Sequence, residues 1–328
     1  MRACRYIIYG AGGVGASIGA QLHRSGKQTL LIARGPHLEA IQKGGLDYQT
    51  PAGADRLQIP AVAHPDEIEF RSGDIAILTM KTQDCLPAIE ALAAASSVDL
   101  PVLCAQNGVH NERLAQRRFR HVLGCAVWIP ATFIEPGIVL NYAPNAPIDM
   151  GRIPSGVDDL TRQVVEDFSK AGFDALARPA VLEWKYAKLL TNADSTLDAV
   201  CGDRTGLEDI CDSIREEGEA CYRAAGIDVV SHEADRARLV DAGRAVGSIE
   251  GSPRGQGSSA QSVLRGLKSI ETDYINGEIV WLGRLHGVAT PVNEAVQLAA
   301  NELVSSAGRT PLSPDALRAR IAALEDRS

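Results

Sequence analysis

Three groups of residues in this chain combine type and spacing in ways that do chemistry. The first is Gly10-Ala11-Gly12-Gly13-Val14-Gly15, which follows the β-forming run Tyr6-Ile7-Ile8-Tyr9 and opens a helical stretch at 16–25. Between a strand and a helix, such glycines permit a tight turn. They also let a pyrophosphate approach the free N–H groups of the helix start, where the dipole favours anions. Gly10, Ala11, Gly12, Gly13, Val14 and Gly15 are therefore expected to cradle a dinucleotide. The next strand, 29–33, ends in Ala33-Arg34-Gly35, without the acid that an NAD site uses to hold the ribose hydroxyls. Arg34 suits a 2′-phosphate, so the expected cofactor is NADP, bound as NADPH.

The second group closes two further strands. Leu78-Thr79-Met80-Lys81-Thr82-Gln83 and Ala105-Gln106-Asn107-Gly108 end predicted strands on the same edge of a parallel sheet. Ligands of such sheets bind outside the strands' carboxyl ends, which directs Lys81 and Asn107 toward cofactor or substrate.

The third group is helical. Across 181–200, Trp184, Lys188, Asn192 and Thr196 recur every four residues and share one face, beside an apolar face of Tyr186, Leu189, Leu190, Ala193 and Leu197. A lysine in that setting is headed for partial burial, which loosens the ammonium's hold on its proton. Further on come Gly257-Ser258-Ser259-Ala260-Gln261 and Ile270-Glu271-Thr272-Asp273-Tyr274-Ile275-Asn276-Gly277. An unbroken helix would hold Ser259 and Glu271 about 18 Å apart, too far to share one small substrate. A break is expected between Arg265 and Glu271, with Gly266 permitting it, Ser269 capping the next helix and Glu271 in that helix's first turn.

The elements that must position these groups fall into two regimes. Up to about residue 172, short β-rich runs at 5–9, 29–33, 75–80, 102–105 and 121–127 alternate with helical pieces, among them 16–25, 37–43, 85–96 and 111–118. That is the rhythm of a parallel sheet covered by helices. Beyond it, segments of helical period take over at 181–200, 207–225, 232–246, 271–286 and 292–306, with a Gly/Ser/Pro-rich loop at 247–258. At 328 residues two domains are expected, 1–178 and 179–328, with the boundary at Ala177-Arg178-Pro179. A net charge of −8 argues against nucleic acid and anionic membrane as partners. The seven cysteines, scattered and without a CxxC pair, are those of a cytoplasmic protein with reduced, structural thiols and no metal site. No apolar run reaches the roughly 18 residues that span a bilayer.

In order along the chain, Gly10–Gly15, Gln106-Asn107-Gly108, Trp184…Lys188-x-x-x-Asn192, Ser258-Ser259, the run 271–277 and Leu285-His286-Gly287-Val288-Ala289-Thr290-Pro291-Val292-Asn293 resemble the ketopantoate reductases (2-dehydropantoate 2-reductases). The resemblance implies an α/β Rossmann-type domain followed by an all-helical domain like the C-terminal domain of 6-phosphogluconate dehydrogenase. It implies NADPH reducing a 2-oxo acid, with Lys188 as general acid and Glu271 contacting that lysine, the cofactor and the substrate. Asn107 and Asn192 would hold polar groups of the substrate, and the Ser259 hydroxyl its carboxylate. A homodimer is compatible with it. Two departures lie on the substrate side: Ala193-Asp194-Ser195-Thr196-Leu197, where the family often carries a second Asn, and Ala260-Gln261-Ser262-Val263 after the serine pair. Ser195 and Thr196 then stand where that amide would meet the distal hydroxyl, so ketopantoate or a related branched 2-oxo acid is expected.

Two other readings use the same residues. A β-hydroxyacid dehydrogenase also carries Lys-x-x-x-Asn on a helix, but after a glycine-rich stretch where this chain has Leu182-Glu183-Trp184-Lys185. A catalytically silent NADP-binding sensor would need neither Lys188 nor Glu271.

Overall fold

In the computed structural model, which describes residues 4–133, 135–241, 246–252, 257–264, 266–305 and 310–326, the run Arg5–Tyr9 forms strand β1. Tyr6 and Ile8 face one core while Ile7 and Tyr9 face another, so the strand is apolar throughout because both its faces are covered. There follow α1 (Gly13–Arg24), β2 (Gln28–Ile32), α2 (Gly35–Gly44), β3 (Leu46–Thr50), β4 (Gly53–Leu57), β5 (Ala61–Val62), β6 (Asp74–Leu78), α3 (Cys85–Ala95), β7 (Val102–Cys104) and α4 (Asn111–Gln116). The chain continues through β8 (Val122–Val127), β9 (Ala131–Thr132), β10 (Ile138–Asn141), β11 (Pro147–Arg152), α5 (Asp159–Lys170) and β12 (Asp174–Ala177).

Eight strands form one sheet in the order β12-β11-β8-β7-β6-β1-β2-β5. From β5 to β8 all neighbours are parallel, and β11 enters antiparallel to β8. The chain moves outward from β1 to β2 and β5, then restarts at β6 on the other side of β1. This is the doubly wound pattern, with its ligand-binding switch point at the carboxyl ends of β1 and β6. A second sheet, β4-β3-β10-β9, was not expected from the sequence. Helix α1 packs on β1 and β2 and also on β9 and β10 of that second sheet. Its residues from Gly15 to Leu22 are accordingly all buried.

The remaining elements are helices: α6 (Val181–Ser195), α7 (Leu197–Val200), α8 (Glu208–Ala225), α9 (His232–Asp241), α10 (Ser258–Leu264), α11 (Asn276–His286), α12 (Pro291–Ser305) and α13 (Pro314–Glu325), with a 3₁₀ turn at Glu271–Tyr274. Residues 242–245, 253–256, 265 and 306, which fall in or beside expected elements, lie outside the described residues. Two compact units result, Met1–Lys185 with His232–Arg254, and Tyr186–Ser231 with Gly255–Ser328. The expected division at 178/179 has no counterpart for α9, which belongs to the first unit. The reason is electrostatic. Arg238 of α9 is buried and donates to Asp149 of β11 at 2.9 Å and to Asp174 of β12, while Arg178 donates to the other oxygen of Asp149 at 2.7 Å. Among the described residues, no helix is long and apolar enough to cross a membrane.

Candidate active site

Of the four glycines in the run 10–15, Gly10, Gly12 and Gly15 differ in what surrounds them. Gly10 has φ +103°, and a Cβ there would stand 2.8 Å from Met80 N. A Cβ at Gly15 would drive into Gly10 O and Thr79 Oγ1, so helix α1 can pass this close to the strand ends only on a glycine. At Gly12 nothing lies within 4 Å of the added atom. The fold does not require that glycine, but a pyrophosphate approaching the start of α1 would. Gly12 is also the N-cap of α1 and offers no side-chain cap, so the helix's first N–H groups have no such partner. The loop therefore fits a dinucleotide. His37, which the sequence reading passed over, orients it: Nδ1 accepts from Gly137 N at 2.9 Å, which makes Nε2 the protonated nitrogen that donates to Ala11 O at 2.7 Å.

Gly12→Ala is expected to cost the ligand-free protein no more than the roughly 1 kcal/mol of a poorer N-cap, while weakening NADPH binding about tenfold or more. Gly15→Ala should instead lower stability by about 1–3 kcal/mol through overpacking. Thermal unfolding and NADPH fluorescence titration of the two variants separate these effects. Unchanged NADPH affinity in Gly12→Ala would remove the pyrophosphate from this turn.

Arg34 follows β2, is exposed, and forms no ion pair with any described residue. Lys81 and Asn107 follow β6 and β7, and Asn111 ties their loops together by donating to Thr82 Oγ1 at 3.1 Å and to Asn107 O at 3.2 Å. Beneath them is a charge pair that was not foreseen. Lys185 Nζ lies 2.5 Å from Glu112 Oε1, both side chains are at most 2% exposed, and the ammonium also donates to Gln106 O at 3.0 Å and Cys125 O at 3.1 Å. The signal was there, since Val181, Lys185 and Leu189 form an i, i+4 stripe in which a charge must find a buried partner. Trp184, expected to flank Lys188, carries the Arg178 guanidinium 4.0 Å over its ring.

In the second unit Lys188 (8% exposed) and Asn192 lie on α6, and Asn192 Nδ2 is buried without a partner among the described residues. The expected helix over 181–200 stops at Ser195. Its face therefore does not continue to Thr196, which sits at the junction with α7 and is fully buried. Ser195 Oγ donates to Asn192 O at 2.7 Å, leaving only its lone pairs for a ligand. Asp194, in the departure stretch, pairs with Arg215 at 2.9 Å, and burial pushes its carboxyl up to about 6 against the opposing pull of Arg215.

The chain leaves the helical path after Leu264: Gly266 has φ +70°, and Gly266 N and Leu267 N close the turn on Val263 O and Ser262 O. Arg265, where the break was expected to begin, lies outside the described residues. Glu271, 4% exposed, then opens the 3₁₀ turn, whose N-cap is Ile270 and not the expected Ser269. Both neighbours of this break reach the end of α6. A Cβ on Gly257, two residues before Ser259, would lie 3.6 Å from Ser195 Cβ, and Asn276, just after the Glu271 turn, donates to Ala193 O at 3.4 Å.

Burial raises the thiols of Cys85, Cys211 and Cys221 to about 11, so they stay protonated at neutral pH. Among the described residues no group of His, Cys, Asp and Glu could hold a metal ion.

Comparison with known proteins gives a consistent outcome. The family profile described as "Ketopantoate reductase PanE/ApbA" matches residues 6–155, and that of its C-terminal domain matches residues 180–303. A 2-dehydropantoate 2-reductase of Archaeoglobus fulgidus is 30% identical over 90% of this chain and 96% of its own length. One from Pyrococcus horikoshii is 29% identical over 87% and 93%. The crystal structure of a PanE/ApbA family ketopantoate reductase from Ralstonia eutropha superposes with a TM-score of 0.77 at 25% identity, covering 92% of this chain and 98% of that one. A D-mandelate dehydrogenase solved with NADH and anilino(oxo)acetate shares the fold, with a TM-score of 0.78 at 20% identity over 98% and 99% of the two chains.

Proposed function

Because the chain belongs to the ketopantoate reductase family, we propose that it uses NADPH to reduce ketopantoate or a related branched 2-oxo acid to the 2-hydroxy acid, with Lys188 as general acid. The observation that carries the reading is the opening at Gly12, beside an uncapped helix start and one strand away from Arg34. In that arrangement the α1 N–H groups and residues 10–15 hold the pyrophosphate, and Arg34 pairs with the 2′-phosphate. Lys81 and Asn107 contact the rest of the cofactor.

A bound nicotinamide would supply the hydride. As the carbonyl carbon accepts it, negative charge grows on oxygen, and the Lys188 ammonium first offsets that charge and then delivers its proton. Glu271 holds Lys188 in line and touches the cofactor. Asn107, Asn192 and Ser259 bind the substrate's carboxylate and polar groups, and the buried Asn192 Nδ2 is a donor still in need of an acceptor. Ser195 and Thr196 stand in the sequence where the family's second amide would meet the distal hydroxyl. With Thr196 fully buried and the Ser195 hydroxyl donating to Asn192 O, neither replaces that amide as a donor, so a substrate range broader than ketopantoate alone follows. Losing one such hydrogen bond costs about 1 kcal/mol.

The test is an NADPH-oxidation screen over ketopantoate and related branched and aromatic 2-oxo acids, with each cofactor compared by kcat/KM. NADPH should be preferred, and Arg34→Ala should erode that preference about 10- to 100-fold, the worth of a charge-assisted hydrogen bond. A wild-type preference for NADH would overturn the cofactor assignment, and absence of turnover on every 2-oxo acid would overturn the reading.

A further inference from the structure

The stretches Tyr274-Ile275-Asn276-Gly277 and Thr290-Pro291-Val292-Asn293 carry asparagines to which the function above gives no task. Both are fully buried. Glu217 of α8 accepts from Val292 N at 2.8 Å and Asn293 N at 2.9 Å, and also from Asn293 Nδ2 at 2.7 Å. A carboxylate can only accept, so this last bond fixes which way the Asn293 amide faces. Asn293 Nδ2 gives its other proton to Ile214 O at 3.1 Å, and Asn293 Oδ1 is thereby left to accept from Asn276 Nδ2 at 3.1 Å. The remaining proton of Asn276 goes to Ala193 O at 3.4 Å.

That last acceptor is the informative one. The final carbonyls of α6 have lost their helical partners and must be met from outside. Ser195 Oγ meets Asn192 O, while Thr196 N, at 3.2 Å, and Asn276 Nδ2 meet Ala193 O. Asn276 is also the first residue of α11, directly after the turn that carries Glu271. One side chain thus joins the last turn of the lysine-bearing helix to the Glu271 turn, and its orientation is set from Glu217 through Asn293.

We propose that Asn276 is a positioning residue, oriented by the Glu217–Asn293 pair, that holds the end of α6 and the Glu271 turn in the register needed for Lys188 and Asn192 to meet the substrate. The inference rests on the proposed roles of Lys188, Asn192 and Glu271. Misplacing such groups by about 1 Å costs on the order of 100-fold in rate.

The experiment compares Asn276→Ala, the milder Asn276→Ser and a core control, Leu317→Ala on α13, a fully buried residue outside this network. For each, kcat and KM of the 2-oxo acid, the NADPH dissociation constant, the thermal midpoint and the primary isotope effect with [4-²H]NADPH are measured. For the Asn276 variants kcat/KM should fall about 10- to 100-fold, with NADPH affinity within twofold of wild type and a larger isotope effect as hydride transfer becomes limiting. Leu317→Ala should lose stability and keep its kinetics. If the folded Asn276 variants show the control's pattern, lower stability with wild-type kcat/KM and isotope effect, the inference is overturned while the reductase reading stands. Wild-type turnover that survives Lys188→Ala overturns that reading, and this inference with it.

Discussion

Replacing Lys188 by Ala is expected to lower kcat by about 10²–10⁴-fold, the range for losing a general acid, while the NADPH dissociation constant stays within about twofold. The split follows from where the residues reside. The glycine loop, Arg34 and Lys81 all belong to the first unit, whereas Lys188 lies on the part of α6 assigned to the second. At 8% exposure the lysine is no ordinary solvated charge. With Lys188 as the proposed acid, a largely buried stem of this kind would leave less solvent to reorganise around the developing alkoxide. Near-normal kcat in the variant would take Lys188 out of the mechanism, and joint loss of turnover and NADPH binding would make its role structural.

The second large effect concerns stability. Glu112→Ala strands the Lys185 ammonium in a region where its side chain is 2% exposed, and should cost about 3–5 kcal/mol. Changing both partners, with Lys185→Met and Glu112→Leu, should recover most of that loss because no charge is then left buried. Recovery is incomplete, since Gln106 O and Cys125 O lose their donor. Urea unfolding of the three proteins decides the matter. If Glu112→Ala is as stable as wild type, the buried ion pair described above contributes nothing to stability. The single change should also weaken NADPH binding, because Gln106 O belongs to the loop that carries Asn107.

Legibility in the sequence followed the physical origin of each element. The strands β1, β6, β7 and β8 are short apolar runs buried on both faces, and they stand out because nothing polar interrupts them. Strand β4, Gly53–Leu57, is mostly exposed and has no apolar face, so only its pairing with β3 makes it a strand. Strand β3 does alternate, with Leu46, Tyr48 and Thr50 buried, but Gly45 and Pro51 frame it like a loop. Helix α13 was missed although Ser313 caps it and Pro314 occupies its first position.

The candidate site divides the same way. The glycine loop and the α6 period are local signals and could be read. His37 acts through partners 26 and 100 residues away, and Lys185 meets carbonyls 60 and 79 residues away. The apolar stripe around Lys185 signals that a partner is needed, but nothing local says which residue it is. Thr196 shows the converse. The four-residue recurrence reached it, but the helix ends one residue earlier.

The placement of α9 bears on heredity as much as on mechanics. The chain passes from the first unit to the second at 185/186, returns at 231/232 and leaves again at 254/255, so neither unit is one continuous stretch of coding sequence. A gene cut just after residue 178 would yield an N-terminal fragment in which Asp149, fully buried, keeps Arg178 but has lost Arg238. Asp174 would lose the same partner. Shuffling the dinucleotide-binding half onto another helical partner therefore requires the graft to bring its own equivalent of residues 232–241.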